Sequence, residues 1–458
     1  MSTIATGRRQ VAAPVVASVD AIRAQFPSME RHHEGFPVAY LDGPGGTQVP
    51  RHVVDRMADY LLHHNANTHW RYPTSAETDE LISGARRSLA DFVNGAPDEI
   101  AFGANMTTIT FHVARALGRS WGPNDEILLT ELDHHANVAP WRALEKERGV
   151  RIQMAKMRTE DGTLDLEDFE RKLSPRTRLV AVVAASNALG TIVDIPRIAA
   201  MARAKGALVF VDAVHFAPHA LVDVKSLDCD LLVMSAYKFY GPHIGALWGK
   251  RDLIERMDVP KLAPAPEESP ERLETGTQNH EGIVGAGAAV DWLASLGGKE
   301  EGGGRREEGG RREEEGGRRK EEGGRREEEG GRREAASNRR VALGSVLAEL
   351  HERGAKLFAQ LWNGLGDITG VQRFGLPPAG RRTPTLSFRV KGVSSDDVAV
   401  ALAQRGLFVS HGDFYAATII ERLGGWPDGV VRVGCSAYST ESEIARVVES
   451  MERVSQHA

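Results

Sequence analysis

The chain has 458 residues, with 57 basic side chains against 63 acidic ones and a formal net charge of −6. At 41% hydrophobic residues and two cysteines, it is too apolar for wholesale disorder, has no disulfide framework or CxxC zinc site, and offers no basic footprint for nucleic acid. No apolar run approaches the ~20 residues that cross a bilayer, so no membrane role is expected, and the length allows roughly two to three domains of ~150 residues.

Residues 1–35 read as a frayed start. Arg8-Arg9 precedes VAAPVVA, but that stretch is short and broken by Pro14, so a cytoplasmic protein is expected rather than a secreted one. Residues 36–298 then alternate between strands and helices. A short strand is expected at Ala101-Phe102, a helix over Thr107 to Leu117, a strand over Glu126 to Thr130 and a helix over Val138 to Arg148. Leu179 to Ala185 (LVAVVAA) is a wholly apolar strand. A helix over Ile195 to Lys205 and strands over Ala207 to Val211 and Leu231 to Ser235 follow. Such apolar runs between helices predict a mostly parallel sheet covered on both faces, with ligands beyond the carboxyl ends of its strands.

Residues 299–336 form a low-complexity insertion. Its segment 300–334 contains only Gly, Glu, Arg and Lys, with Arg pairs recurring mostly every seven residues. A coiled coil needs apolar a and d positions, which are absent, and each Gly costs ~1 kcal/mol in a helix, so the insertion is expected to be disordered. Residues 337–458 read as a smaller α+β domain. It has a long helix from Arg339 to Leu365, a strand over Thr385 to Val390, a helix over Ser395 to Arg405 and a strand near Val430 to Val433. A last helix, from Thr440 to about Val454, is opened by a Thr440/Glu443 capping-box pattern.

Two strand ends carry chemistry. Asp212 follows the strand in ALVFVDAVH, and Lys238 follows the one in LLVMSAYKFYG. In a parallel sheet both open into one crevice. A lysine there can form a Schiff base with an aldehyde, and an acid can keep a pyridine nitrogen protonated. The same two charges also suit an ordinary ion pair.

The motifs LDHHANVAPW (132–141), ASNALGT (185–191), VDAVH (211–215), DCDLLVMSAYKFYGP (228–242), ETGTQNHEG (274–282) and RVGCSAYST (432–440) resemble, in order, the class V aminotransferase family in its cysteine desulfurase-like and selenocysteine lyase-like branch. The resemblance implies the fold-type I architecture of pyridoxal phosphate enzymes, usually a homodimer, with a large cofactor-binding domain and a smaller C-terminal one. It makes Lys238 the Schiff-base lysine and proton shuttle, Asp212 the partner of the ring nitrogen and His134 the residue stacked on the ring. Asn187 would bind the ring's oxygen side or the substrate carboxylate, and His215 would donate to the ring oxygen. Asn105, Met106 and Thr107 would hold the phosphate at a helix start, with Ser235 as a second hydroxyl and Thr277 reaching the partner subunit's phosphate. Arg432 would bind the substrate carboxylate. His215 replaces a Gln of many relatives, and Met106 departs from a Gly-Thr-Thr-like stretch.

The resemblance breaks at the loop SHGDFYAATI (410–419), where desulfurases carry a persulfide-forming cysteine. Tyr415 or a neighbour takes that place. Cys229 is expected to be buried, and Cys435, three residues after Arg432, to face the opposite side of the strand. The expected activity is β-elimination of a sulfur or selenium group from a small amino acid, with Tyr415, His411 or Asp413 as proton donor. Transamination or epimerisation is the alternative within enzymes, and a non-catalytic cofactor-binding protein is the alternative outside them.

Overall fold

The computed structural model describes residues 16–298 and 321–456. Seven strands form the large sheet: β1 (Ile100–Gly103), β2 (Glu126–Thr130), β3 (Arg151–Ala155), β4 (Thr177–Val183), β5 (Leu208–Asp212), β6 (Leu231–Ser235) and β7 (Gly245–Gly249). Their spatial order is β1-β7-β6-β5-β4-β2-β3. Only β7 runs against its neighbours, so the sheet is mostly parallel, as expected.

Strands β2, β6 and β7 are buried at every residue because helices cover both faces. These helices are α1 (Arg51–Asp59), α2 (Pro73–Val93), α3 (Met106–Gly118), α4 (Ala139–Arg148), α5 (Ile195–Arg203) and α6 (His280–Ser295). Alternate strand residues feed two cores. Leu128, Val180, Val182 and Val209 pack with residues of α2, α5 and α6, whereas Ile127, Leu129, Leu179 and Ala181 pack with α3 and with Trp141 of α4. Gly287 brings α6 so close to α2 that an added Cβ would lie 2.7 Å from Ala85 Cα.

The C-terminal domain begins with α7 (Glu321–Gly366) and contains a four-stranded antiparallel sheet of β8 (Val371–Phe374), β9 (Thr385–Val390), β10 (Ser410–Gly412) and β11 (Val430–Gly434), in the order β8-β9-β11-β10. Helices α8 (Ser395–Ala403) and α9 (Glu441–Gln456) belong to the same domain. Its core joins Phe358 and Leu361 of α7, Leu386 and Phe388 of β9, Val431 and Val433 of β11, and Ile444 and Val447 of α9. The capping box forms: Thr440 N–H donates to Glu443 at 2.9 Å, and Glu443 N–H donates to the Thr440 hydroxyl at 3.2 Å.

The insertion departs from expectation in part. Residues 299–320 lie outside the described residues, but from Glu321 onward the chain is already helical and runs unbroken into the predicted helix. The sequence offers a reason. Glu precedes Arg by four residues at 321/325, 322/326, 328/332 and 329/333, the favoured orientation for helical pairs, and both residues are good helix formers. Attached to a helix that is already nucleated, such a segment adds turns without the cost of starting one.

Arg382 ties the two domains together. Its buried guanidinium donates to the carbonyls of Leu189, Leu376 and Thr385, and lies 3.5 Å from the Phe358 ring centroid. Burial lowers its pKa to about 9.

Next to the edge strand β1, Gly245 of β7 lets the turn before α3 approach. A Cβ there would lie 2.5 Å from the backbone of Asn105. Gly245→Ala is therefore expected to destabilise the protein by about 1–3 kcal/mol through forced displacement of the start of α3. An unchanged urea midpoint would contradict this close packing.

Candidate active site

The carboxyl ends of β5 and β6 open onto a cavity of about 750 Å³. Parallel neighbours β5 and β6 carry Asp212 at the end of one and, one 3₁₀ turn beyond the other, Lys238. Lys238, Asp212, His134, His215, Asn187, Asn105, Met106, Thr107 and Ser235 all line this one cavity. Those nine positions, dispersed over more than a hundred residues of chain, were expected to converge.

Lys238 is buried, and its Nζ donates to the carbonyl oxygens of Pro44 and Gly45, the latter at 2.9 Å. It also lies 4.8 Å from the Tyr237 ring centroid. Burial, then the Arg432 cation, lower its pKa to about 7, against opposing pulls from Asp42 and Asp212. Asp212 accepts from Val214 N–H at 2.9 Å, and burial raises its pKa to about 6. Behind it, burial pushes Asp133 up to about 8, with the Thr130 hydroxyl at 2.5 Å and the Asn137 amide at 2.7 Å as donors.

His134 caps the short turn after β2, its Nδ1 accepting from Ala136 N–H at 2.9 Å. Burial, then Lys238, lower its pKa to about 4, so it stays a neutral flat ring. His215 is more deeply buried. Its Nε2 lies 3.0 Å from both the Thr383 and Thr385 hydroxyls, while Nδ1 has no partner among the described residues. Asn187 donates through Nδ2 to Phe414 O at 3.1 Å, and its Oδ1 is likewise buried without a partner. Two such orphans would each cost ~1–3 kcal/mol, so the wall is built for a polar occupant.

At the start of α3, the Asn105 side chain accepts from Thr108 N–H, and Met106 N–H donates to Ser235 Oγ at 3.2 Å. The Met106 amide is thus already engaged, which joins two positions expected to act separately. First-turn amides of a helix have no intrahelical acceptor and suit an anion.

Arg432 does not line the cavity but abuts it through Asn187. Its guanidinium is buried and donates to Asn187 O at 3.0 Å, Asp42 Oδ1 at 3.0 Å and Ser410 Oγ at 3.1 Å, under the Phe414 ring at 4.1 Å. Tyr415 is an exposed residue at the mouth, its ring 5.6 Å from that of His134, and its carbonyl accepts from His135 N–H at 2.7 Å. Phe414 and Tyr415 both take left-handed backbone angles, so this loop is held in a strained shape by Asn187 and His135. Two expected proton donors are elsewhere. His411 Nε2 pairs with Asp396 at 3.3 Å, and Asp413 caps the Tyr415 amide. Neither lines the cavity. Thr277 is also outside it, exposed beside a second cavity.

Both cysteines are buried, which raises each pKa to about 12. Cys435 lies in the C-terminal core while Arg432 faces the site, the opposition expected from strand geometry.

Several contributors had escaped the sequence. The turn Asp42–Thr47 supplies the lysine's acceptors and Asp42, and its Thr47 binds Tyr237 O through both N–H and hydroxyl. Its Gly-Pro-Gly-Gly composition is a readable turn signal. Tyr237 stacks on His243 at 4.9 Å and 13°, both lining the cavity. Thr383 and Thr385 carried no local signal at all.

Residues 39–302 and 344–447 match the aminotransferase class-V family. A cysteine desulfurase of Pectobacterium atrosepticum is 38% identical over 61% of this chain and 72% of its own length. A probable cysteine desulfurase of Streptomyces coelicolor is 29% identical over 96% of this chain and 98% of its own. The solved apo cysteine desulfurase of Thermococcus onnurineus NA1 superimposes with a TM-score of 0.81 at 25% identity, covering 98% of this chain and 100% of that one. With four of its six motifs converging on one cavity at the strand ends, the chain belongs to the class-V aminotransferase family of pyridoxal phosphate-dependent enzymes.

Proposed function

We propose that this enzyme is a cysteine desulfurase-like C–S (or C–Se) lyase that binds pyridoxal phosphate on Lys238 and eliminates the β-substituent of a small amino acid without an enzyme thiol. One observation carries the reading: Lys238, Asp212 and the orphaned polar atoms of Asn187 and His215 line one cavity, while the loop at 413–416 beside Arg432 contains no cysteine. The wall fits the cofactor. Asp212 would hold the ring nitrogen's proton, His134 the ring face, His215 the ring oxygen, and the α3 start with Ser235 the phosphate.

When bound, pyridoxal phosphate supplies an aldehyde for the amine and an electron sink for the Cα–H bond. Lys238 provides the amine and, once displaced by substrate, the base that takes the Cα proton. Arg432 and Asn187 hold the substrate carboxylate after Phe414 and Asp42 give way. His134 stays neutral and keeps the ring flat. The departing sulfur needs a proton, and Tyr237 is the phenol in the cavity wall. Burial and Asp212 raise its pKa, which keeps the proton in place.

A homodimer belongs to this reading. Thr277 is exposed outside its own cavity next to the 67–69 segment, flanked by exposed Leu61, Leu62, Trp70 and Tyr72. Exposed apolar side chains on either side of that segment in sequence suit a partner subunit whose phosphate Thr277 would reach. Both cysteines are free, which supports a cytoplasmic location. Among the described residues, no helix is long and apolar enough to cross a membrane.

Four outcomes are expected. Purified protein takes up pyridoxal phosphate with a visible absorption band that Lys238→Ala abolishes. Only the neutral amine attacks an aldehyde, so the capture rate should rise about tenfold per pH unit below 7 and level off above it. A rate still climbing at pH 10 would show an ordinary lysine. With cysteine and selenocysteine as substrates, pyruvate should accompany sulfide or selenide release, whereas alanine, which carries no β-leaving group, should yield neither. Alanine with sulfide at high turnover would instead mean desulfuration through a thiol. Tyr237→Phe should slow cysteine cleavage by about 10²–10³ while leaving β-chloroalanine, whose chloride needs no proton, within about tenfold. Equal losses on both substrates would remove Tyr237 as the acid.

A further inference from the structure

The unpartnered nitrogen of His215 is set by residues far from it in sequence. His215 is 2% exposed and lines the cavity. An imidazole's two nitrogens point away from each other, and a neutral one carries a single proton, placed by the bond its other nitrogen makes. Here Nε2 lies 3.0 Å from the hydroxyls of Thr383 and Thr385, on the segment leading into β9. The two hydroxyls form a chain: Thr383 Oγ1 donates to Thr385 Oγ1 at 3.2 Å, which leaves the Thr385 proton for Nε2. The reverse arrangement would leave the Thr383 proton only the Gly190 carbonyl at 3.5 Å. The shorter set makes Nε2 the acceptor and Nδ1 the protonated nitrogen, a buried N–H with no protein acceptor.

The charged and titratable groups facing His215 are His219, Lys238 and Arg432, all cationic when charged, and together with burial they hold the ring neutral. Neutrality matters because an imidazolium would carry protons on both nitrogens and lose any tautomer choice.

We propose that Thr383 and Thr385 are positioning residues that fix the Nδ1–H tautomer of His215, so that this N–H donates to the ring oxygen of bound pyridoxal phosphate. A histidine does here what an amide would do without adjustment, and the threonines of the C-terminal domain supply the adjustment. The electronic state of a cofactor held by the large domain therefore depends on two hydroxyls of the small one. This inference rests on the cofactor reading above in its second half only. The tautomer itself belongs to the protein alone.

The test uses the full chain labelled with ¹⁵N, with two-bond ¹H–¹⁵N correlations recorded on His215 before and after loading with pyridoxal phosphate. The expected result is a neutral Nδ1–H ring in both states, with the Nδ1 proton moved downfield on loading. In Thr383→Val/Thr385→Val, the free protein should show mixed tautomers. The pH at which the loaded chromophore loses its proton should rise by about one unit, because a donor to an anionic oxygen is lost. Thr383→Ser/Thr385→Ser should restore both signals. In a His215→Gln background, the valine pair should leave the chromophore where it was, whereas a purely structural role would shift it in both backgrounds. A protonated Nε2, or an equal shift in both backgrounds, overturns the proposal. Failure to load with pyridoxal phosphate overturns the cofactor contact and the reading beneath it, while the tautomer in free protein still decides the role of the threonines.

Discussion

Burying an ammonium group removes more hydration than two carbonyl oxygens return, and the site is organised around that imbalance. Lys238 sits at the end of β6 with only Pro44 and Gly45 carbonyls as acceptors and a guanidinium nearby, so its proton is loosely held. The neighbouring acids are displaced the other way, Asp212 and Asp133 both holding protons more tightly than free carboxyls. One strand end has been made less basic and its neighbour less acidic by the same lack of water. A cationic ring bound beside Asp212 would let its carboxyl ionise, so the cavity wall is electrostatically suited to such a group.

Elements built on strong local patterns were readable from the sequence. Continuous apolar strands β4, β5 and β6, the capping box of α9 and the Asn105 turn into α3 each carry their own signal. What went unread follows a physical rule. Helix α6 is buried nearly all round and shows no polar stripe, and β7 is a short Gly-bounded strand whose antiparallel pairing is decided by its neighbours. The helical extension from Glu321 was misjudged because Gly content was weighed against an isolated helix rather than one already anchored. At the site, Lys238 and Asp212 announced themselves by position after strands, and His134 and His215 through the motifs that carry the family resemblance. Thr383 and Thr385 reach His215 across about 170 residues of chain, and no local reading of PTLSF could contain that contact.

The loop at 413–416 contains no cysteine. It offers a carbonyl to Asn187 and an aromatic face to Arg432, covering the two groups suited to a carboxylate. Phe414 and Tyr415 hold left-handed backbone angles there, a shape kept by the contacts of Asn187 and His135. Chemistry that relies on an acid fixed in the wall, next to the lysine, is consistent with such a loop serving as cover rather than as carrier.

Arg382 sets a bound on how that cover can lift. Its guanidinium finds its acceptors on both sides of the boundary, Leu189 in the large domain and Leu376 and Thr385 in the small one, and no carboxylate among the described residues accompanies it. Swinging the small domain outward as a rigid clamshell would break the guanidinium's bond to Leu189 together with the adjacent bonds from Thr383 N–H to Gly190 O and from Ile192 N–H to Arg381 O, each worth about 0.5–1.5 kcal/mol. Entry and exit of small molecules must then be governed by a few residues peeling away at the rim, and the turnover of such a catalyst would be limited by a flap rather than by a hinge.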